Sequence, residues 1–379
     1  MTEPTFATSE TPLLLLDEAR MQANCARMRD RVRALGARFR PHVKTAKSLA
    51  VTRAMLGATR GPITVSTLRE ADEFAAHGFA DITYAIGITP NKLMHARALL
   101  ARGVDLTLIL DSVEAARAVR DAVAADERAP AVLIEIDTDG HRAGVRPDDP
   151  ALLEIAAALA GSPARVRGVL THAGGSYDCR GDAELHAMAE QERAGAVDAA
   201  HRLRAAGHDA PVVSVGSTPT ALFARDLTGV TEVRAGVYVF FDLVMAGLGV
   251  CAVDDIAVSV QTTVVGHRAD KGWTLVDAGW MALSRDRGTA AQPLDQGYGL
   301  VCDAQGDPLD GFIVMAANQE HGTIAHRSGD PARRLDLPVG AVLRILPNHA
   351  CATAAQFDRY HVLDAQGAIA THWPRFGGW

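Results

Sequence analysis

The chain has 379 residues, 48% hydrophobic and 22% charged, with a formal net charge of −7. That balance is ordinary for a soluble globular enzyme and argues against nucleic acid or an acidic membrane surface as the main partner. The polar stretch at residues 1–10 has no apolar signal core, and no later stretch reaches the roughly 20 apolar residues of a membrane span, so a cytoplasmic location is expected.

Thr11–Asp17 reads as a short buried strand. Asp17 then caps a helix through Met21, Cys25, Met28 and Val32 to about Leu35, ended by Gly36. A regular alternation follows. Strands are predicted at Arg38–Val43, Ile63–Ser66, Ile82–Ile86, Leu106–Leu110, Ala131–Ile136, Val166–His172, Val212–Val215 and Thr231–Ala235. Between them fall helices at Ser48–Leu56, Leu68–His77, Asn91–Ala101, Val113–Ala125, Pro150–Leu159, Asp182–Ala206 and Thr218–Asp226. Eight strands separated by helices predict an α/β fold, a (β/α)8 TIM-like barrel over residues 18–250. An open doubly wound sheet is the alternative, but its first strand would end in a glycine-rich turn, and here it ends in His42-Val43-Lys44-Thr45.

After about Val250 the helical runs almost vanish. Ile256–Val265, Gly272–Asp277, Gly299–Cys302, Gly311–Ala317 and Ala341–Leu346 read as strands of a second, β-rich domain, residues 251–379, joined by residues 1–17. The five cysteines are scattered with no CxxC pair, which fits free thiols in a reducing compartment.

In a (β/α)8 barrel the reactive groups lie at the C-terminal ends of the strands. The first strand ends at Lys44, the fifth runs into Asp137–Gly144, and the sixth into His172 and Tyr177. The seventh ends in Gly216-Ser217-Thr218-Pro219-Thr220 and the eighth in Gly236 and Tyr238. The Gly216–Thr220 stretch can cradle an anion with hydroxyls and helix N–H groups. Its plain alternative is a helix cap followed by proline in the first turn. A rim lysine and a phosphate cradle together suit pyridoxal 5'-phosphate, with Arg142 or Tyr177 near its ring. Taken singly, Arg142 reads equally as a surface cation and His172 as a packed core histidine. In the β-rich domain, His349 and Cys351 stand two apart, on one side of an extended chain, and imidazole with thiolate suits zinc. Two ligands are a weak signal beside the plain alternative of a buried Cys and a structural His.

Taken in order, Arg40-Pro41-His42-Val43-Lys44-Thr45, Ile134–Val145, Gly216–Thr220, Arg234–Tyr238 and Pro347-Asn348-His349-Ala350-Cys351 resemble the D-threonine aldolase/D-serine dehydratase family, of fold type III with the alanine-racemase-like fold. The resemblance implies that Lys44 carries the cofactor's Schiff base and removes the α-proton. It assigns Gly216, Ser217, Thr218, Gly236 and Tyr238 to the phosphate, and Arg142 and Tyr177 to the ring. His349 and Cys351 would hold a divalent metal, zinc first, with manganese, cobalt or magnesium as alternatives. Lys47 is expected at the start of the following helix as a supporting charge. Aldolase members carry His-x-Asp at the metal site, whereas this chain has His349-Ala350-Cys351, the dehydratase pattern. They also place a His-Gly pair after the sixth strand, where this chain has Ala173-Gly174, with His172 one position earlier.

The expected activity is therefore loss of water from a D-3-hydroxy amino acid, giving oxaloacetate and ammonia from 3-hydroxyaspartate or pyruvate from D-serine. The alternative is a D-threonine-type aldolase releasing glycine and an aldehyde. A racemase needs no metal pair, and a non-catalytic cofactor carrier would resemble a bare barrel. Arg142, Arg285, Gln292, Asn318, Gln319 and His321 are candidates for a second substrate carboxylate. The partner is a small molecule. Oligomeric state stays open, a homodimer included.

Overall fold

The computed structural model describes residues 9–124, 126 and 128–379. In chain order, β1 (Leu13–Asp17) and α1 (Glu18–Ala34) are followed by strictly alternating elements. These are β2 (Arg38–Phe39), α2 (Leu49–Leu56), β3 (Ile63–Val65), α3 (Leu68–Ala76), β4 (Asp81–Gly87), α4 (Pro90–Ala101), β5 (Asp105–Leu110), α5 (Val113–Ala122), β6 (Ala131–Ile136), α6 (Ala151–Ala158), β7 (Arg165–Thr171), α7 (Asp182–Ala205), β8 (Val212–Val215), α8 (Thr218–Phe223) and β9 (Glu232–Val233). The helix predicted over Val113–Ala125 ends at Ala122, and Ala125 lies outside the described residues, as do the first eight positions of the predicted 1–17 segment.

Two compact units emerge. One comprises Cys25–Gly236 with Gly378–Trp379, the other the residues up to Asn24 with Val237–Gly377. In the first, eight parallel strands run in the order β2-β9-β8-β7-β6-β5-β4-β3. The ends meet through a parallel bridge between His42 and Thr64, so the sheet closes into a barrel. Val43 N–H donates to Thr64 O at 2.9 Å, and Thr64 N–H donates to Pro41 O at 2.9 Å. The strand predicted over Arg38–Val43 is regular only over Arg38–Phe39. Pro41 lacks an N–H and breaks the ladder, yet Arg40 N–H reaches Val233 O (2.9 Å) and His42 N–H reaches Ala235 O (2.8 Å), carrying the chain on to Lys44. The near-continuous apolar run of β6, buried at every position, is what a parallel sheet covered by helices demands.

The barrel interior is not wholly apolar. Arg40 pairs with Glu232 (2.9 Å) and Asp81 (2.6 Å), and Ser214 Oγ donates to the other Glu232 oxygen at 2.6 Å. Arg234 donates to Ser214 Oγ (2.9 Å) and to the Thr171 carbonyl (2.6 Å). Burial works against the Arg40 cation, but Glu232 and Asp81 outweigh it and raise its pKa. Below this layer a cavity of about 180 Å³ opens at the N-terminal strand ends, lined by Arg38, Asp105 and Arg167 among others. Catalysis on this fold belongs to the opposite rim.

The second unit contains α9 (Leu243–Gly247), β10 (Val258–Arg268), β11 (Trp273–Val276), α10 (Trp280–Leu283), β12 (Leu300–Cys302), β13 (Pro308–Ala317), β14 (Gly322–His326), β15 (Val342–Leu346), α11 (Ala350–Ala354), β16 (Arg359–Leu363) and β17 (Ile369–Pro374). Its nine strands run β11-β14-β13-β12-β15-β10-β1-β16-β17. β1 lies between β10, antiparallel, and β16, parallel, which buries Leu14, Leu15 and Leu16 completely. Three strands, β14, β16 and β17, were not predicted. β14 carries Gly, Thr and His, while the edge strand β17 is mostly solvated, so neither shows a strong apolar pattern. Among the described residues no helix is long and apolar enough to cross a membrane.

The charged layer gives a direct test. Glu232→Ala removes the more buried of the two carboxylates that pair with Arg40 and should cost about 3–5 kcal/mol. Urea unfolding of the variant measures this, and a loss well below 1 kcal/mol would mean that Asp81 alone suffices.

Candidate active site

Lys44 is placed by the closure of the barrel. It follows the His42–Thr64 bridge directly, and its side chain is exposed between the buried Val43 and the buried Thr45 and Ala46. Its own N–H points to His42 Nδ1 at 3.5 Å. Burial pushes the His42 imidazole well below its ordinary pKa, and the nearby charges of Lys44 and Arg234 push the same way. His172, at the end of β7, is lowered to about 3, first by burial. The Gly216 carbonyl opposes this, and Lys44, Arg142 and Arg234 add to it. His172 Nδ1 lies 3.0 Å from Gly216 O. A carbonyl only accepts, so Nδ1 carries the hydrogen and the neutral ring presents Nε2 as an acceptor.

The loop after β6 folds back on itself. Asp137 Oδ1 accepts from Gly140 N–H (2.7 Å), Asp111 Oδ2 accepts from Gly144 N–H (3.1 Å), and Val145 bridges to Ile136. Arg142, on this loop, is exposed and stands 3.8 Å from the buried Glu135. Burial raises the pKa of Glu135, with Arg142 opposing. Tyr177 ends a single turn at Gly174–Tyr177, its ring 6.3 Å from that of His172. The same turn carries Ser176, whose hydroxyl lies 2.9 Å from that of Ser217.

Gly216–Thr220 is both a candidate cradle and a helix cap. Ser217 caps α8 in a reciprocal box with Thr220. The Gly216 N–H donates to Glu192 and the Ser217 N–H to Thr220 Oγ1, each at 3.0 Å. Those two amides are thus committed within the protein. Gly216 has φ +137°, and a Cβ there would sit 2.0 Å from Arg234 O, so no other residue fits. At Gly236 a Cβ would press on His42 O at 2.9 Å and Thr45 Oγ1 at 3.2 Å. Tyr238 lies in the turn Val237–Val239, fully buried. Lys47 is not in the helix as expected. It adopts φ 44° before the N-cap Ser48 and pairs with Glu70 at 3.0 Å.

In the second unit, His349 has extended backbone as expected, but Cys351 does not. His349 is the N-cap of α11, and Cys351 lies in its first turn. The buried Asp242 holds this turn, accepting from Ala350 N–H at 2.9 Å and from Met245 N–H at 3.0 Å. His349 Nδ1 meets Asp286 Oδ2 at 2.6 Å. Burial opposes the imidazolium, but Cys351 and Asp286 outweigh it and raise the His349 pKa to about 11. A carboxylate on one ring nitrogen, with a thiol beside the ring, is how a metal-ligating histidine is commonly oriented. Among the described residues no group of three or more His, Cys, Asp or Glu could hold a metal.

Asp286, Asp242, Ser176 and Glu192 were not singled out from the sequence. Asp286 and Asp242 lie far from His349 in the chain, and no local spacing marks them. Of the carboxylate candidates, Arg285 stacks 4.8 Å from the Trp280 ring, and Gln292 Nε2 donates to Val244 O at 3.0 Å.

A closed parallel barrel with a rim lysine, in a chain that also builds an antiparallel β unit, is the architecture of the alanine-racemase-like fold. The alanine racemase N-terminal domain model matches residues 16–244, and a serine dehydratase domain model matches residues 257–363. A D-threo-3-hydroxyaspartate dehydratase of Delftia sp. (strain HT23) is 56% identical over 382 residues, covering 100% of both chains. A D-serine dehydratase of Dictyostelium discoideum is 30% identical over 380 residues, 95% of this chain and 94% of its own. A cysteine-to-alanine variant of D-threo-3-hydroxyaspartate dehydratase, solved in a metal-free form, superposes with a TM-score of 0.95 at 56% identity over 99% of this chain and 100% of that one. The chain belongs to the alanine-racemase-like D-threonine aldolase/D-serine dehydratase family.

If His349 and Cys351 bind zinc, Asp286→Asn should weaken that binding about 10–100-fold, since the amide orients the ring less firmly and makes it less basic. Competition with a chromogenic chelator measures the affinity. An unchanged affinity would mean that Asp286 does not support the ligand.

Proposed function

We propose that the protein eliminates water from a D-3-hydroxy amino acid, with D-threo-3-hydroxyaspartate as the substrate and oxaloacetate and ammonia as products. D-serine would give pyruvate by the same route. The observation that carries this reading is the exposed Lys44 at the barrel rim, in a chain that also keeps a His349–Cys351 pair and is 56% identical over its full length to a D-threo-3-hydroxyaspartate dehydratase.

The residues fit the cofactors that the reading needs. Lys44 offers an exposed amine to an aldehyde beside two neutral imidazoles. The hydroxyls of Ser176 and Ser217 suit a phosphate, and Gly236, where the chain passes His42 O too closely for a Cβ, belongs to the same proposed set. Thr218 and Tyr238 complete the proposed phosphate set, and Tyr177 and Arg142 are assigned to the pyridine ring. His349 and Cys351 suit zinc as an open pair. When bound, pyridoxal 5'-phosphate supplies a sink for the electron pair left at Cα, and the metal supplies Lewis acidity toward the β-hydroxyl.

The protein's own part follows from its side chains. Lys44 would hold the cofactor and, once the substrate's amine has displaced it there, its freed amine would take the proton from Cα. Neutral His42 and His172 put no further cations beside that amine. Once the Cα–H bond has broken, the electron pair left there would form the Cα–Cβ double bond as the Cβ–O bond breaks, and the hydroxyl would leave as water with the proton that Lys44 removed. The released enamine hydrolyses to the 2-oxo acid and ammonia, so atoms balance without any oxidant. In the aldolase alternative the Cα–Cβ bond breaks instead, after a base removes the β-hydroxyl proton. Here His172 follows a different local pattern from the aldolase His-Gly pair, and its Nδ1 is tied to Gly216 O.

Assays for ammonia, 2-oxo acid, glycine and aldehyde over D-serine, D-threonine and the 3-hydroxyaspartate isomers test the reading. The expected result is oxaloacetate and ammonia in equal amounts from D-threo-3-hydroxyaspartate, lost in Lys44→Ala and lost reversibly with chelator. Glycine and glyoxylate as the products would replace elimination by retro-aldol cleavage. Full turnover in Lys44→Ala would remove the lysine from the mechanism.

A further inference from the structure

We infer that Glu192 is a positioning residue, locking the two rim loops that receive the phosphate end of the cofactor into one unit. The inference rests on the pyridoxal-phosphate reading above and deepens it. Glu192 lies in the middle of α7, a helix that packs on the outside of the barrel, and is 2% exposed. A carboxylate so buried is costly unless its oxygens are bonded. Its Oε1 accepts two backbone amides at once, Ala173 N–H at 3.0 Å and Gly216 N–H at 3.0 Å. The Thr220 side chain also favours its ionised form.

These partners belong to different loops. Ala173 opens the loop after β7, which carries Ser176 and Tyr177. Gly216 opens the loop after β8, which carries Ser217 and Thr218. A single oxygen therefore fixes the start of both loops. Further out, the same two loops are joined by the Ser176–Ser217 hydroxyl pair at 2.9 Å. Within the second loop, the Thr220 hydroxyl accepts from Ser217 N–H at 3.0 Å. Removing the carboxylate frees two buried amides and lets the loops move apart. Lys44 is not part of this network, being placed by the barrel closure instead. Loss of Glu192 should therefore weaken recognition of the phosphate and spare the reaction of the amine with an aldehyde.

The test compares two aldehydes on the full-length apoprotein, pyridoxal 5'-phosphate and pyridoxal, which lacks the phosphate. Binding is read from the absorbance of the lysine adduct, without any turnover. Glu192→Ala should lose at least about tenfold in affinity for the phosphorylated aldehyde and less than about twofold for pyridoxal, in line with stranding hydrogen-bonded buried amides. Glu192→Gln keeps an acceptor at Oε1 and should stay within about threefold of the parent for both aldehydes. If Glu192→Ala does not fold by circular dichroism, Glu192→Asp, one methylene shorter, takes its place with the same expected selectivity. An equal loss for both aldehydes, or no loss for either, overturns the inference. If the parent protein forms no Lys44-dependent adduct with either aldehyde, the cofactor reading itself falls, and the inference falls with it.

Discussion

The closure of the barrel between Pro41–Val43 and Thr64 is the constraint on which the rest depends. Two backbone hydrogen bonds join the first and second strands where the regular ladder has already stopped. Closure sets the backbone on which Lys44 stands, and it leaves that side chain exposed while its neighbours are buried. It also explains the close approach of Gly236 to His42 O, since the eighth strand must pass the same point on its other side. Beneath it the Arg40–Glu232–Asp81 layer fills the barrel with charge that is paired within the wall. Such a layer supports one register of the strands, because a shift would leave an arginine buried without a carboxylate.

Above that floor the polar groups are tied up by the protein to an unusual degree. Glu192 takes the amides of Ala173 and Gly216, Thr220 takes the amide of Ser217, and Gly216 O takes the His172 proton. At this level Lys44 stands exposed, and the neutral His172 ring presents Nε2 as an acceptor. The metal candidates are built differently. His349 and Cys351 depend on two carboxylates, one holding the backbone of the turn and the other the imidazole ring. The proposed elimination divides along the same line, with proton removal assigned to the lysine and departure of the hydroxyl to the His–Cys pair.

The barrel was legible in the sequence because each βα unit carries its own signal, a short apolar run followed by a helical period. The β unit was less so. β14 and the edge strand β17 carry too little apolar alternation to stand out, and the parallel contact of β1 with β16 joins segments from opposite ends of the chain. At the site, Lys44, Gly216 and the His349–Cys351 pair could be singled out because each sits in a local pattern. The geometry around them could not be read. The short spacing suggests that His349 and Cys351 share an extended chain, whereas a helix starts between them, at Ala350, whose N–H donates to Asp242. Glu192 looks like one more charge on a long helix that carries many. Only the fold shows that it faces inward and meets two loops.

The central claim is that Lys44, placed by barrel closure, is the group that holds the cofactor. Its most direct test is borohydride reduction of the protein purified with pyridoxal 5'-phosphate, followed by peptide mass mapping. The account predicts a stoichiometric pyridoxyl label on Lys44, with Lys47, paired to Glu70, left unmodified. A label on Lys47 or any other lysine, or none at all, would contradict it.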